Sequence, residues 1–253
     1  MTKTIPTVHI YDIPFSKMNM KETVNFLTKR IEAGEQTHVI TANPIMVMSA
    51  LEKPSYKEMM LKADIIVPDG AGIVWAAQKA GNPVAERVAG IELMHELFKQ
   101  GEQRHWKVFL LGTTQEIIDA AAASLQLQYP QVRIVGARNG FFGASEDDEV
   151  VSQIAALQPH LLFVARGAET QEPWIVKHRS ALKVPLIMGV GGSFDVISGK
   201  LKRAPEWVQA IRMEWFFRLL QEPKRLPRMM VLPKFMLKVM RDKEKVTKHI
   251  ENE

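Results

Sequence analysis

The chain has 253 residues, 46% of them hydrophobic and 24% charged, an ordinary globular composition with length for one large α/β domain or two small lobes. It has no cysteine, which excludes a disulfide framework or a thiolate metal site and fits the cytosol. The net charge of +5 is unevenly spread, with +7 on residues 200–253 and −2 on residues 1–199, so the tail suits an anionic partner: nucleic acid, a membrane surface or a phosphorylated substrate.

The first residues, Met1 to Pro6, lack an apolar signal core, and no run reaches the length of a membrane span, so a non-secreted, non-integral protein is expected. In chain order, Val8–Tyr11 reads as a short strand, Lys21–Ile31 as an amphipathic helix and His38–Thr41 as a strand. Pro44 starts a helix, Ile65–Val67 is a buried strand that Pro68 stops, and helices follow over Gly72–Lys79 and Ile91–Gln100. Lys107–Gly112 is a strand ending in glycine, and Thr113 or Thr114 caps an Ala-rich helix to about Gln128. Strands at Arg133–Val135, Leu161–Val164 and Pro185–Met188 alternate with helices at Asp147–Leu157 and Thr170–Leu182. This alternation predicts βαβ units: a Rossmann-like α/β body over residues 1–199, with a mostly parallel sheet and helices on both faces. After Gly199 the alternation stops, and helices broken by Pro205, Pro223, Pro227 and Pro233 form a basic appendage over residues 200–253.

In an open α/β sheet ligands bind at the carboxyl ends of the strands. Thr41-Ala42-Asn43-Pro44 and Pro68-Asp69-Gly70 each end a strand, and Glu86-Arg87-Val88-Ala89-Gly90 is a loop before a helix. If the strands are neighbours, a hydroxyl, an amide, a carboxylate and a guanidinium converge on one rim and suit a sugar and a phosphate. Each also has a plain structural use: Thr41 or Asn43 as a helix cap, Asp69 as a turn-former, Arg87 in a surface ion pair with Glu86.

Gly189-Val190-Gly191-Gly192-Ser193-Phe194-Asp195 follows a strand and offers backbone N–H groups to a phosphate, with Asp195 as an acceptor for ribose or base; the alternative is a tight turn in which Asp195 caps a helix. No G-x-G-x-x-G follows the first strand, which disfavours a dinucleotide enzyme. Gln171, at a helix start, can donate to and accept from a sugar, while Trp174 packs. The run Glu146–Glu149 reads as a solvated helix N-terminus. With no D-x-D triplet and no H-x-x-x-H pair, neither a metal nor another cofactor is expected. In the tail, Arg218, Arg225 and Arg228 sit at helical spacing but are interrupted by prolines. Met229–Met240 interleaves apolar side chains with Lys234, Lys238 and Arg241, the pattern of a helix lying on anionic lipid or packing on the body or a second copy of the chain. Nucleic acid is disfavoured, because apolar residues dominate over exposed stacking aromatics.

Taken in order, the strings above, with Asn139-Gly140-Phe141-Phe142, Gln171-Glu172 and Arg203-Ala204-Pro205-Glu206-Trp207, resemble the WecG/TagA/CpsF family of bacterial glycosyltransferases, especially its teichoic-acid branch, over roughly residues 5 to 230. The resemblance implies inverting transfer of N-acetylmannosamine from its UDP donor to N-acetylglucosaminyl-diphospho-undecaprenol at the inner face of the cell membrane. It implies Asp69 as base with Arg87 as the second catalytic residue, Thr41, Asn43 and Gln171 around the sugars, and Arg218, Arg225 and Arg228 on the diphosphate beneath a closing appendage. The nucleotide is expected near Phe141, Gly191, Gly192 and Asp195. Where the family has G-x-P-x-Q-E, this chain has Glu169 in place of proline and Arg166 ahead of the glycine. These charges leave a uronic acid or hexose nucleotide open as donor, with Arg166 as a partner for a uronate; the non-enzyme alternative is a nucleotide-sugar binding protein in which Asp69 only shapes a turn. Phe141 stands where the family usually has tyrosine.

Overall fold

The computed structural model describes residues 5–210 and 213–246. Residues 1–4, 211–212 and 247–253, which belong to the ends of the expected body and to the expected appendage, lie outside the described residues.

A hairpin of β1 (Thr7–Ile10) and β2 (Ile13–Ser16) precedes α1 (Met20–Glu32), β3 (Thr37–Ala42), α2 (Pro44–Glu52) and α3 (Pro54–Met60). Then come β4 (Ile65–Pro68), α4 (Ala71–Lys79), α5 (Gly90–Arg104), β5 (Lys107–Gly112), α6 (Gln115–Gln128) and β6 (Arg133–Arg138). The body finishes with α7 (Asp147–Leu157), β7 (Leu161–Ala165), α8 (Ala168–Leu182), β8 (Leu186–Gly189) and α9 (Ser193–Ile197). The eight strands form one sheet in the order β1-β2-β4-β3-β8-β7-β5-β6, parallel except for the β1–β2 hairpin. The Rossmann-like α/β expectation holds.

Alternation along the strands sorts the core into two faces. Leu161 and Phe163 pack with α1, α5 and α6, and Leu162 and Val164 pack with α7 and α8 on the other side. Below the β3–β4 end, Ile40, Ala42 and Ile66 meet α2, α3 and α4 in a third cluster.

The β2 strand and α3 are additional to the sequence reading: Ile13-Pro14-Phe15-Ser16 is too short to announce itself and is held by pairing to Thr7–Ile10. Pro68 does not stop its strand but is its last paired residue, opposite Ala42. The missing N–H is tolerated because the neighbour on the other side, β2, pairs with β4 only at Phe15–Ile66. The run Glu146–Glu149 is not simply solvated. Asp147 is buried and accepts from Trp174 Nε1 at 2.9 Å, Lys177 Nζ at 2.8 Å and His178 Nε2 at 3.1 Å, tying α7 to α8.

After Gly199 the chain forms α10 (Glu206–Ala210), α11 (Glu214–Gln221), a 3₁₀ turn at Pro223–Arg225, α12 (Leu226–Met229) and α13 (Val231–Asp242). Pro205 directly precedes α10, and Pro223 and Pro227 lie in the first turns of their elements, where a missing N–H costs nothing. Phe235 and Val239 of α13 are buried with α2 and α4. At the end of α13 the Tyr11 hydroxyl donates to Asp242 Oδ2 at 3.1 Å, and just beyond it the Tyr11 N–H donates to the Val246 carbonyl at 2.8 Å.

Candidate active site

A cavity of about 910 Å³ opens at the carboxyl rim of β3, β4, β7 and β8, with α11, α12 and α13 as its opposite wall. Thr41, Asn43, Asp69, Arg87, Gln171, Gly191, Gly192, Asp195, Arg218, Arg225 and Arg228 all line it. Phe141 does not. It is 77% exposed, in a loop that reaches the cavity only through the bond from Gly140 N–H to the carbonyl of the lining residue Thr113, at 3.0 Å.

The β3 rim supplies two polar groups. Thr41 is wedged between Gly90 and Gly189, and its hydroxyl donates to the Gly189 carbonyl at 3.2 Å. Asn43 caps α2, its Oδ1 accepting from the N–H groups of Ile45 at 3.0 Å and Met46 at 3.2 Å. That leaves its amide NH₂ for the cavity.

Asp69 follows β4, and its N–H donates to the Ala42 carbonyl at 2.9 Å. Gly70 then takes φ +123°, which turns the chain into α4, and Gly72 packs so closely on Pro44 that a Cβ would sit 2.6 Å from its Cγ. The Asp69 carboxylate accepts from Gly90 N–H at 3.2 Å and faces Arg87 Nε at 3.6 Å. Its side chain keeps 28% of its surface open to the cavity but lies deep in the protein, and burial raises its pKa above the ordinary aspartate value. Arg87 and the Gly90 N–H oppose that rise, and the charges of Glu214 and Glu92 add to it.

Arg87 does not pair with Glu86, whose carboxylate instead accepts from Met20 N–H at 2.5 Å. It reaches across the cavity to α11, where Nη2 donates to Glu214 Oε2 at 2.6 Å. Burial works against the Arg87 charge, but the bond to Glu214 and the charges of Asp69, Glu214 and Glu92 outweigh it and hold the pKa above the usual arginine value.

Three arginines stand on the wall contributed by the tail. Arg218 Nη2 donates to the Gly192 carbonyl at 3.1 Å, and its guanidinium occupies the space a Cβ on Gly192 would need. Arg225 is ion-paired to Glu222 at 2.7 Å, with Arg218 Nε 3.7 Å from the same oxygen. Burial, reinforced by the charge of Arg225, lowers the pKa of Arg218 and of Arg228. A guanidinium keeps its proton regardless, so the cluster is a concentrated positive field, offset in part by Glu222 and Asp195 near Arg218 and by Glu169 near Arg228. Asp195 lies in the first turn of α9, 3.5 Å from Lys200 Nζ. Among the described residues no group of three or more His, Asp or Glu side chains could hold a metal ion.

Two residues behind the site were not singled out by sequence reasoning. Gln171 Nε2 donates to Glu172 Oε1 at 2.8 Å, and Gln171 Oε1 accepts from Gly191 N–H at 3.3 Å. Glu172 is fully buried and faces His38 Nε2 at 2.8 Å, also fully buried. This chain of contacts fixes the Gln171 amide and presses on Gly189, where any Cβ would collide with both carboxylate and amide. Glu172 stood in the motif strings, but nothing local pointed to His38.

The two charges that departed from the family pattern turn elsewhere. Arg166 stacks 3.9 Å over the Phe142 ring and donates to the Phe142 carbonyl at 2.9 Å, and Glu169 pairs with Lys53 at 3.4 Å. Neither lines the cavity. This removes the reason for expecting a uronate partner in Arg166.

A mostly parallel α/β sheet whose strand ends open into a cavity walled by the tail helices is the ligand-binding arrangement of the Rossmann-like class. Within it, this chain belongs to the family described as "Glycosyl transferase WecG/TagA/CpsF family", whose model matches residues 8–249. It is 37% identical over 244 residues, 95% of both chains, to proteins of Staphylococcus aureus strains MW2, NCTC 8325 / PS 47 and MRSA252, each named N-acetylglucosaminyldiphosphoundecaprenol N-acetyl-beta-D-mannosaminyltransferase.

Proposed function

We propose that the protein transfers N-acetylmannosamine from UDP-N-acetylmannosamine to N-acetylglucosaminyl-diphospho-undecaprenol with inversion, making the β-1,4-linked disaccharide lipid of the wall teichoic acid linkage unit. The observation that carries this is the opposition within one cavity of the Asp69 carboxylate, at the end of β4, and the tail arginines Arg218, Arg225 and Arg228. Asp69 removes the proton of the acceptor 4-hydroxyl as that oxygen bonds to the anomeric carbon of the donor, and the bond from that carbon to UDP breaks on the opposite face. The raised pKa of Asp69 suits it to accept a proton. UDP leaves with its electron pair, and the arginines stabilise the charge that develops on its diphosphate. Thr41, Asn43 and Gln171 hold the sugars, and the Gly191-Gly192 turn with Asp195 takes the nucleotide.

In this reading the segment after Gly199 is a lid over the site and the contact with anionic lipid at the inner face of the cell membrane. No helix among the described residues is long and apolar enough to cross a membrane. Support for surface binding comes from α11 and α13, which leave Leu220 and Leu237 each 64% exposed beside arginines and lysines. The test is a transfer assay with a short-chain N-acetylglucosaminyl-diphospho-lipid and a panel of UDP sugars, with and without EDTA. Turnover with UDP-N-acetylmannosamine that survives EDTA is expected. Turnover with another sugar alone would move the donor, and none with any donor would overturn the reading.

A further inference from the structure

The contact between Arg87 and Glu214 joins the tail to the charged group nearest to Asp69. Arg87 comes from the loop between α4 and α5, Glu214 from the first turn of α11, 127 residues further on. Glu214 takes the end of the guanidinium at 2.6 Å, while Nε stays 3.6 Å from Asp69, buried and without a hydrogen-bond partner. A buried, unpaired N–H beside a carboxylate is an unfavourable arrangement, relieved by a small movement toward the carboxylate. Glu214 is what opposes that movement.

We propose that Glu214 is a positioning residue for the transfer: by holding Arg87 short of a full ion pair with Asp69, it keeps the carboxylate free to take the acceptor proton, and does so only while α11 is docked. The inference rests on the reading of Asp69 as the base. α11 is seated on the body by Arg218 on the Gly192 carbonyl, and is braced within the tail by Gln221, which exchanges hydrogen bonds with the backbone of Lys202 at 2.8 and 2.9 Å. When these contacts open, Glu214 leaves with the helix, Arg87 closes on Asp69, and the base becomes weak. An open enzyme holding donor is then poorly able to deprotonate water, which limits hydrolysis of the donor.

The charged groups facing Asp69 act in opposite directions. Glu214 of α11 and Glu92 of α5 raise its proton affinity, Glu92 being itself paired with Arg203 at 2.6 Å, and Arg87 lowers it with the Gly90 N–H. Replacing Glu214 by a neutral group both removes a raising charge and releases the lowering one.

The test uses full-length Glu214→Gln and Glu214→Asp with the pH dependence of kcat/KM for the short-chain acceptor, and thermal melting to verify folding. The acid limb in Glu214→Gln should move to lower pH by about one unit. Glu214→Asp, which keeps the charge but draws it back by one methylene, should fall between it and the parent. An acid limb unmoved in either folded variant overturns the proposal, even if the plateau rate drops, since loss of packing alone changes the rate and not the titration. Asp69→Asn is measured beside them: if it turns over like the parent, the base assignment has failed instead.

Discussion

Replacing Asp69 by asparagine tests the chemistry and the electrostatics of the site in one variant. The amide keeps the shape, its Oδ1 can still accept from Gly90 N–H at the 3.2 Å seen for the carboxylate, and the backbone bond to Ala42 is untouched. What it cannot do is take a proton. A positioned general base contributes typically 10²–10⁴-fold, so kcat should fall by about a thousandfold, or about 4 kcal/mol of transition-state stabilisation. Stability should move the other way. The folded-state pKa of Asp69 lies above the ordinary value because burial disfavours its charge. The contribution to stability is therefore fully present below the unfolded-state pKa and is lost as pH rises through the folded-state pKa. Asp69→Asn carries no such loss, so its melting temperature should exceed the parent's at neutral pH, and the gap should shrink on acidification toward the ordinary aspartate range. Release of UDP from UDP-N-acetylmannosamine in the presence of acceptor gives the rate, calorimetry gives UDP affinity, and thermal melting across pH gives the stability. Turnover within tenfold of the parent, or a variant that melts lower at neutral pH, would refute the reasoning.

Gly192→Ala places a methyl group where the Arg218 guanidinium sits; because that is the end of a flexible chain, melting should change little while turnover falls by about a hundredfold. Unchanged turnover would mean that Arg218 is not needed in that seat. Phe235→Ala empties a fully buried position on α13 and should cost about 3–5 kcal/mol in urea unfolding, whereas a loss under 1 kcal/mol would show α13 to be only loosely docked. Paired Leu220→Ser and Leu237→Ser should reduce co-sedimentation with anionic vesicles while leaving turnover of the short-chain acceptor unchanged. Binding by the parent protein should also weaken as salt rises, and insensitivity to both salt and these substitutions would argue for packing instead of lipid contact.

The rim of the sheet could be read from the chain because the motifs at Thr41–Pro44, Pro68–Gly70 and Gly189–Asp195 sit at strand ends, and the strands announce themselves by apolar runs that alternate between the two faces, as Leu161 to Val164 do. What escaped was whatever depends on partners distant in sequence. Arg87 beside Glu86 looks like a local pair, but its partner Glu214 becomes visible only when α11 is folded back. His38 reads as one more residue of an apolar strand until Glu172, 134 residues on, is placed against it. Asp147 looked solvated among its acidic neighbours because the three donors that bury it all lie on α8. Arg166 failed in the opposite sense: its charge suggested a ligand, and the aromatic ring of Phe142 took it first.

The bond between Tyr11 and Asp242 spans 231 residues and has a bearing on how the protein is made. The cluster that packs around the first hairpin is completed by Phe235, Val239 and Val246, which lie far along the chain from it. Until they dock, the apolar faces of the hairpin, α2 and α4 that they cover stay exposed. Contacts of such long range are paid for in loop entropy before they form, which makes their closure late and exposes apolar surface in the interval. Since α13 also walls the cavity, that wall is incomplete until α13 docks, so one late contact finishes both the core around the first hairpin and the cavity.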